Sequence, residues 1–190
     1  MLKRYSALDH NYLPGKYPFN NLTKITFKEY NQLKLQQIAC WPNKLSEIND
    51  FFQKKLNINH SPNFNKGIIT ENFSIWRMEP IKWWILHKKL SLPEDLGTTL
   101  DLSYAFTCIN ISGEMSSILL NRHLPLDLRE HNFPTGSSAS SAIHHVSIKL
   151  LKYNNNYSLF IPRGFAASIW EILLESSKQF GYVILERELS

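Results

Sequence analysis

His144 and His145 stand side by side in "AIHHVSIKLLKY", a stretch that reads as a β-strand. Histidine is a frequent metal ligand and the side chain that titrates near neutrality. Successive strand side chains point to opposite faces, so these two cannot clamp one metal together. Cys40 and Cys108 form no CxxC and no zinc pattern. Two isolated cysteines fit a reducing cytoplasm better than a disulfide scaffold. Cys108 lies on the apolar side of a predicted strand and reads as a small core residue. No GxGxxG follows a predicted strand, and there is neither a P-loop nor a GxSxG elbow. From His131 to Trp170 there is not one Asp or Glu, so carboxylate acid–base catalysis cannot come from that stretch. Lys149, Lys152 and Arg163 leave it cationic. It reads either as an anion-facing or partner-facing surface or as a solvated edge.

The elements that would position these residues alternate along the chain. Residues 1–22 carry Pro, Gly and Asn without periodicity and read as a loose N-terminal arm. Residues 23–190 read as a single domain. Residues 24–41 read as one or two strands. Leu45, Ile48, Phe51, Phe52 and Leu56 recur at helical spacing and predict an amphipathic helix over 43–58. Residues 59–67 read as a loop, and 73–80 with 81–89 as a hairpin around Pro80. A strand over 100–112, a short helix over 113–122 and a long Pro/Gly/Ser connection over 125–142 follow. Residues 143–153 and 157–162 flank "NNN" as a second hairpin. The best helix spans 164–181, with Phe165, Ile169, Ile172, Leu173 and Phe180 on one face and Gly181 as its cap. The fold class is α+β: an antiparallel or mixed sheet, split β-α-β elements and helices packed on one face.

Composition bounds the function. With 190 residues, 43% hydrophobic and 19% charged, the chain is globular. The formal charge of +5 comes from scattered lysines, so nucleic acid is not expected as a partner. No run approaches a membrane span, and "MLKRYSALDHNYL" lacks the apolar stretch of a secretory leader. A cytoplasmic protein is expected.

The order of several motifs resembles the gamma subunit of heterotetrameric sarcosine oxidase, from about Thr23 to Gly181. They are Trp41-Pro42; Pro80 with Trp83; Asp101 with Ser103; Leu126, Asp127, Leu128, Phe133, Pro134 and Gly136; and Pro162, Arg163, Phe165, Ala166 and Trp170. That subunit is in turn similar to the folate-binding aminomethyltransferases, whose first domain the chain resembles. The resemblance implies a non-catalytic structural subunit. Its complex oxidatively demethylates sarcosine, forms hydrogen peroxide and passes the one-carbon unit to tetrahydrofolate or releases formaldehyde. The implied partners are alpha, beta and delta subunits, with FAD, FMN, NAD and folate in alpha and beta and zinc in delta. No cofactor is implied for this chain. The acidic pair that serves folate chemistry in the aminomethyltransferase hairpin is missing from "HHVSIKLLKY", and Gly164 stands where the family more often has serine. A free-standing folate-binding or regulatory module is the alternative.

Three residues are candidates for a partner interface: Trp84, Arg163 and Trp170. In "PIKWWIL" the face of Ile81, Trp83 and Ile85 is apolar and predicts a core. The face of Lys82, Trp84, Leu86 and Lys88 alternates lysine with large apolar residues, as a surface covered by a partner or by the N-terminal arm would. Trp170 is one step off the predicted helix stripe and is expected to be partly buried. Arg163 precedes that helix. Trp and Arg are the residues that most often dominate interfaces.

Overall fold

The computed structural model describes residues 5–187. Their contacts divide the chain into two compact units. One runs over Leu33–Tyr104 and takes in Gly136–Ala139; the other holds the segments before and after. The architecture is α+β, as the alternating pattern predicted, with two sheets and three α-helices among the described residues.

The Leu33–Tyr104 unit is built on five strands: β3 (Leu35–Cys40), β4 (Gly67–Ile69), β5 (Ser74–Glu79), β6 (Lys82–Leu86) and β7 (Gly97–Asp101). Their order is β4-β5-β6-β3-β7, antiparallel throughout. The helix α1 (Leu45–Leu56) forms where its apolar spacing predicted. Glu47 lies in its first turn and Lys54 and Lys55 in its last, which suits the helix dipole. Asn57 closes it in the left-handed conformation, its N–H bonded to the Gln53 carbonyl. Ile48, Phe52 and Leu56 pack with Ile38, Ile75, Trp83 and Ile85, so the predicted core face of β6 is the one that meets the helix. The Phe52 ring meets Trp83 edge-on at 5.2 Å. Gly67 pairs with Trp76, and a Cβ there would lie 2.2 Å from the indole. Only glycine lets that ring lie on the backbone.

The other unit is built on β1 (Gly15–Tyr17), β2 (Ile25–Tyr30), β8 (Phe106–Ser112), β9 (Ser138–Ile143), β10 (Val146–Lys152), β11 (Asn156–Pro162) and β12 (Tyr182–Ile184). Their order is β1-β12-β2-β8-β11-β10-β9, mixed because β12 runs parallel to β2. The helices α2 (Ser116–Asn121) and α3 (Ala166–Ser177) complete it.

Several boundaries differ from the expectation. The predicted strand over 100–112 is two strands, β7 and β8, in different sheets. The turn between them is marked by the Asp101–Ser103 pair: the Ser103 N–H donates to Asp101 Oδ1 at 3.0 Å. The serine-rich "SASSAI" is strand β9, because its edge position and pairing with β10 override the loop composition. His144 and His145 are exposed and form the tight β9–β10 turn, His144 at φ +52°, rather than sitting within a strand. From Tyr5 on, the N-terminal segment is packed, not loose: Leu8 and Tyr12 are buried and β1 pairs with β12.

The final helix is shifted by one phase. Its buried stripe is Ala166, Ile169, Trp170, Leu173 and Ser177, while Phe165 lies in a preceding 3-10 turn and is 53% exposed. Gly181 follows a closing 3-10 turn at φ +64°, and a Cβ there would strike the Leu22 carbonyl at 2.0 Å.

Candidate functional site

The three interface candidates occupy different environments. Trp84 is 2% exposed, and its Nε1 donates to Gln37 Oε1 at 3.3 Å. The second face of β6 is therefore buried in this chain alone. Lys82 opens the strand and Lys88 lies beyond its end, whereas the central Trp84 and Leu86 are both covered. Trp170 is fully buried rather than partly so. Its Nε1 donates to the Asn11 carbonyl at 3.0 Å, its ring stacks on Tyr12 with centroids 5.6 Å apart, and Phe27 meets it edge-on at 5.2 Å. The N-terminal segment thus covers Trp170.

Arg163 is half-buried at the start of the turn before α3. Its N–H donates to the Ala105 carbonyl at 2.9 Å, and its guanidinium donates to the Tyr5 carbonyl. Phe165 projects beside it, and Gly164 has open space where a Cβ would stand. Arg163→Ala removes one hydrogen bond at the surface. It is expected to leave the fold intact and to cost about 1 kcal/mol or less. Urea unfolding checks this; a loss of several kcal/mol would make Arg163 a structural residue.

The cations of the carboxylate-free stretch do not form one surface. Lys149 reaches Ser140 Oγ at 2.6 Å, while Lys152, three residues on and on the opposite face of β10, is buried with its ammonium 4.2 Å from the Tyr157 ring centroid. Both thiols are buried, and burial pushes their pKa values up, so neither is a poised nucleophile. His123 Nε2 lies 2.9 Å from Ser176 Oγ, and burial lowers its pKa, with His144 and Arg122 adding to the shift. Among the described residues, no group of three or more His, Cys, Asp or Glu is placed to hold a metal ion. No described helix is long and apolar enough to cross a membrane.

Asp101 and Ser103, which carry part of the resemblance, have a structural role. The Ser103 hydroxyl accepts from the Leu35 N–H at 3.0 Å, and Lys89 Nζ lies 2.5 Å from Asp101 Oδ2. The Lys89 hydrogen bond, followed by those from Ser103, holds the Asp101 carboxyl well below the usual carboxylate range. A depressed folded-state pKa stabilises fully above the unfolded value of about 3.9, and that stabilisation is lost as pH falls below it. Asp101→Asn is therefore expected to flatten the acid limb of the stability–pH curve. The effect is modest because the side chain is about half exposed. Urea midpoints from neutral pH to about pH 3 read it; an unchanged limb would remove Asp101 from the account.

Sequence reasoning missed a buried ionic cluster. On β2, Ile25, Phe27 and Glu29 point inward in alternation, so Glu29 occupies a core position at 3% exposure. Its Oε2 accepts from Arg187 Nε at 2.7 Å, and its Oε1 accepts from the Ser6 hydroxyl. Arg187 Nη1 also donates to Asp9 Oδ1 at 2.6 Å, and its guanidinium lies over Tyr12 at 4.4 Å. The signal was present in β2: an acid in phase with two core residues demands a partner.

Two further surface hollows lie in the same unit. One, of about 380 Å³, is lined by Arg122, His123, Pro125, Ala142 and His144. The other, of about 440 Å³, opens beside Lys152.

A sheet-rich α+β fold with its functional groups held in structural pairs is the class that this geometry defines. No protein-family model and no curated protein sequence matches the chain. Solved structures do match its fold. A heterotetrameric sarcosine oxidase from Corynebacterium sp. U-96, in complex with pyrrole 2-carboxylate, contains a chain that superposes with a TM-score of 0.76 at 13% identity. The match covers 98% of this chain and 99% of that one. The glycine cleavage system aminomethyltransferase T from Bartonella henselae superposes with a TM-score of 0.62 at 9% identity, over 86% of this chain and 48% of that one. The chain thus has the fold shared by these proteins and spans about half of the aminomethyltransferase.

Proposed function

We propose that the chain is a non-catalytic, gamma-type structural subunit of a heterotetrameric sarcosine oxidase. The observation that carries this reading is the two-way coverage of the structural match, 98% and 99%, which pairs the chain end to end with a chain of nearly equal length in such a complex. The motif order from Trp41 to Trp170 supports the same assignment. Alpha, beta and delta subunits are its partners in this reading. FAD, FMN, NAD, tetrahydrofolate and zinc belong to them, and the complex works in the cytoplasm on sarcosine. Of the three interface candidates, Arg163 is the one with side-chain surface to offer, next to the exposed Phe165.

The test is purification of the native protein from its source with identification of co-purifying chains. A stoichiometric assembly with flavin-carrying subunits and sarcosine-dependent peroxide formation is expected. Recovery of the chain alone, together with stoichiometric tetrahydrofolate binding by calorimetry, would replace this reading with a free-standing folate-binding module.

A further inference from the structure

Lys152 is an unusual lysine. It is 7% exposed, at the end of β10 and next in sequence to the buried Leu150 and Leu151. Lysine is almost never fully buried without a partner, because an ammonium taken out of water needs acceptors for its protons. Here the nearest carboxylate oxygen, Glu130 Oε2, is 3.9 Å away, beyond hydrogen-bonding reach, and Glu130 itself is 71% exposed. The remaining contact is the Tyr157 face at 4.2 Å, which attracts the charge but accepts no proper hydrogen bond. Among the described residues no protein oxygen lies within hydrogen-bonding distance of the ammonium.

The ammonium borders the 440 Å³ hollow, which is also lined by Gly113, Ser117, Glu130, Asn155 and Tyr157. That volume is ample for a small molecule. Of the other charged residues of the wall, Glu114 pairs with Lys24 at 2.7 Å and Arg129 with Asp127, which leaves the exposed Glu130. The Tyr157 hydroxyl is taken up by the Leu128 carbonyl at 3.3 Å. Lys152 is left as the one buried charged residue of the wall, with Ser117 and Asn155 as neutral residues of the same lining.

We infer that the hollow beside Lys152 binds a small oxyanion, a carboxylate or a phosphate, that hydrogen-bonds the Lys152 ammonium. The site needs neither the sarcosine oxidase assembly nor a folate, and stands apart from the proposed subunit role. Glu130, exposed at the surface, competes weakly for the same cation.

The experiment is calorimetric titration of the full chain with sodium phosphate and, separately, sodium acetate, at constant ionic strength set with chloride. Saturable one-to-one binding of at least one of them is expected, and the stronger of the two identifies the class. Lys152→Met, which keeps the stem and removes the charge, is expected to weaken it at least tenfold. Glu130→Gln, which removes the competing carboxylate, is expected to tighten it several-fold. Absence of saturable binding of both anions overturns the inference, as does unchanged affinity in Lys152→Met. Should Lys152→Met fail to fold, Glu130→Gln decides alone, and unchanged affinity there overturns it.

Discussion

Alanine at either Trp83 or Trp84 is expected to destabilise the chain by about 3–5 kcal/mol, the usual range for deleting a large aromatic from a core. The two indoles leave β6 on opposite faces, at 0% and 2% exposure. Trp83 fills the space between its strand and α1, against Phe52, with Arg77 over its ring at 5.2 Å. Trp84 pairs across the sheet with Gln37 on one side and Trp76 on the other. A surface Trp84 would cost the isolated chain far less than Trp83, so near-equal losses in urea unfolding are the signature of a strand buried on both faces. Phenylalanine separates the two further. The Trp83 Nε1 is buried with no acceptor among the described residues, so Trp83→Phe sheds an unsatisfied donor. Trp84→Phe instead removes the hydrogen bond to Gln37 Oε1. Trp83→Phe is therefore expected to be the milder change, and the reverse order would show that the indole nitrogens do not act as described.

Arg187→Ala is expected to cost about 3 kcal/mol, near the lower end for breaking a buried ion pair, because the guanidinium keeps some exposure. The loss has two parts. Glu29 is left as a buried carboxylate held by Ser6 alone, and the cation over Tyr12 disappears. Removing Glu29 as well takes away the orphaned charge. The double variant Glu29→Ala/Arg187→Ala should therefore be less destabilised than the sum of the two single changes, by 1 kcal/mol or more on the order of a buried pair. Strict additivity in a double-mutant cycle would mean that the two groups do not interact. The cluster ties the segment from Ser6 to Tyr12 to Leu185–Arg187, with the Tyr12 hydroxyl donating to the Leu185 carbonyl at 2.8 Å. Proteolysis of either terminal segment is expected to accelerate in the Arg187 variant.

What the sequence determined by itself is what a local period can carry. The 3.6-residue spacing of Ile48, Phe52 and Leu56 fixes α1 and its buried stripe. The two-residue alternation of Ile81, Trp83 and Ile85 fixes which face of β6 meets the helix. Both are set by backbone geometry within a few residues, so they survive any tertiary arrangement. The α+β class followed from the alternation of such segments.

The tertiary structure alone decided the rest, because the deciding partners are far away in the chain. Trp84 is buried though its neighbours are lysines, since coverage of a second face depends on what lies over it and not on its own strand. Trp170 sits at the centre of the α3 stripe because Asn11 and Tyr12 cover it, about 159 residues earlier in sequence. "SASSAI" becomes a strand because β10 is there to pair with it. Glu29 is tolerated among apolar neighbours because Arg187 reaches it across 158 residues. Local periodicity records the geometry of one element; burial of a second face, strand pairing and charge compensation are properties of two elements brought together, and no single stretch of sequence states them.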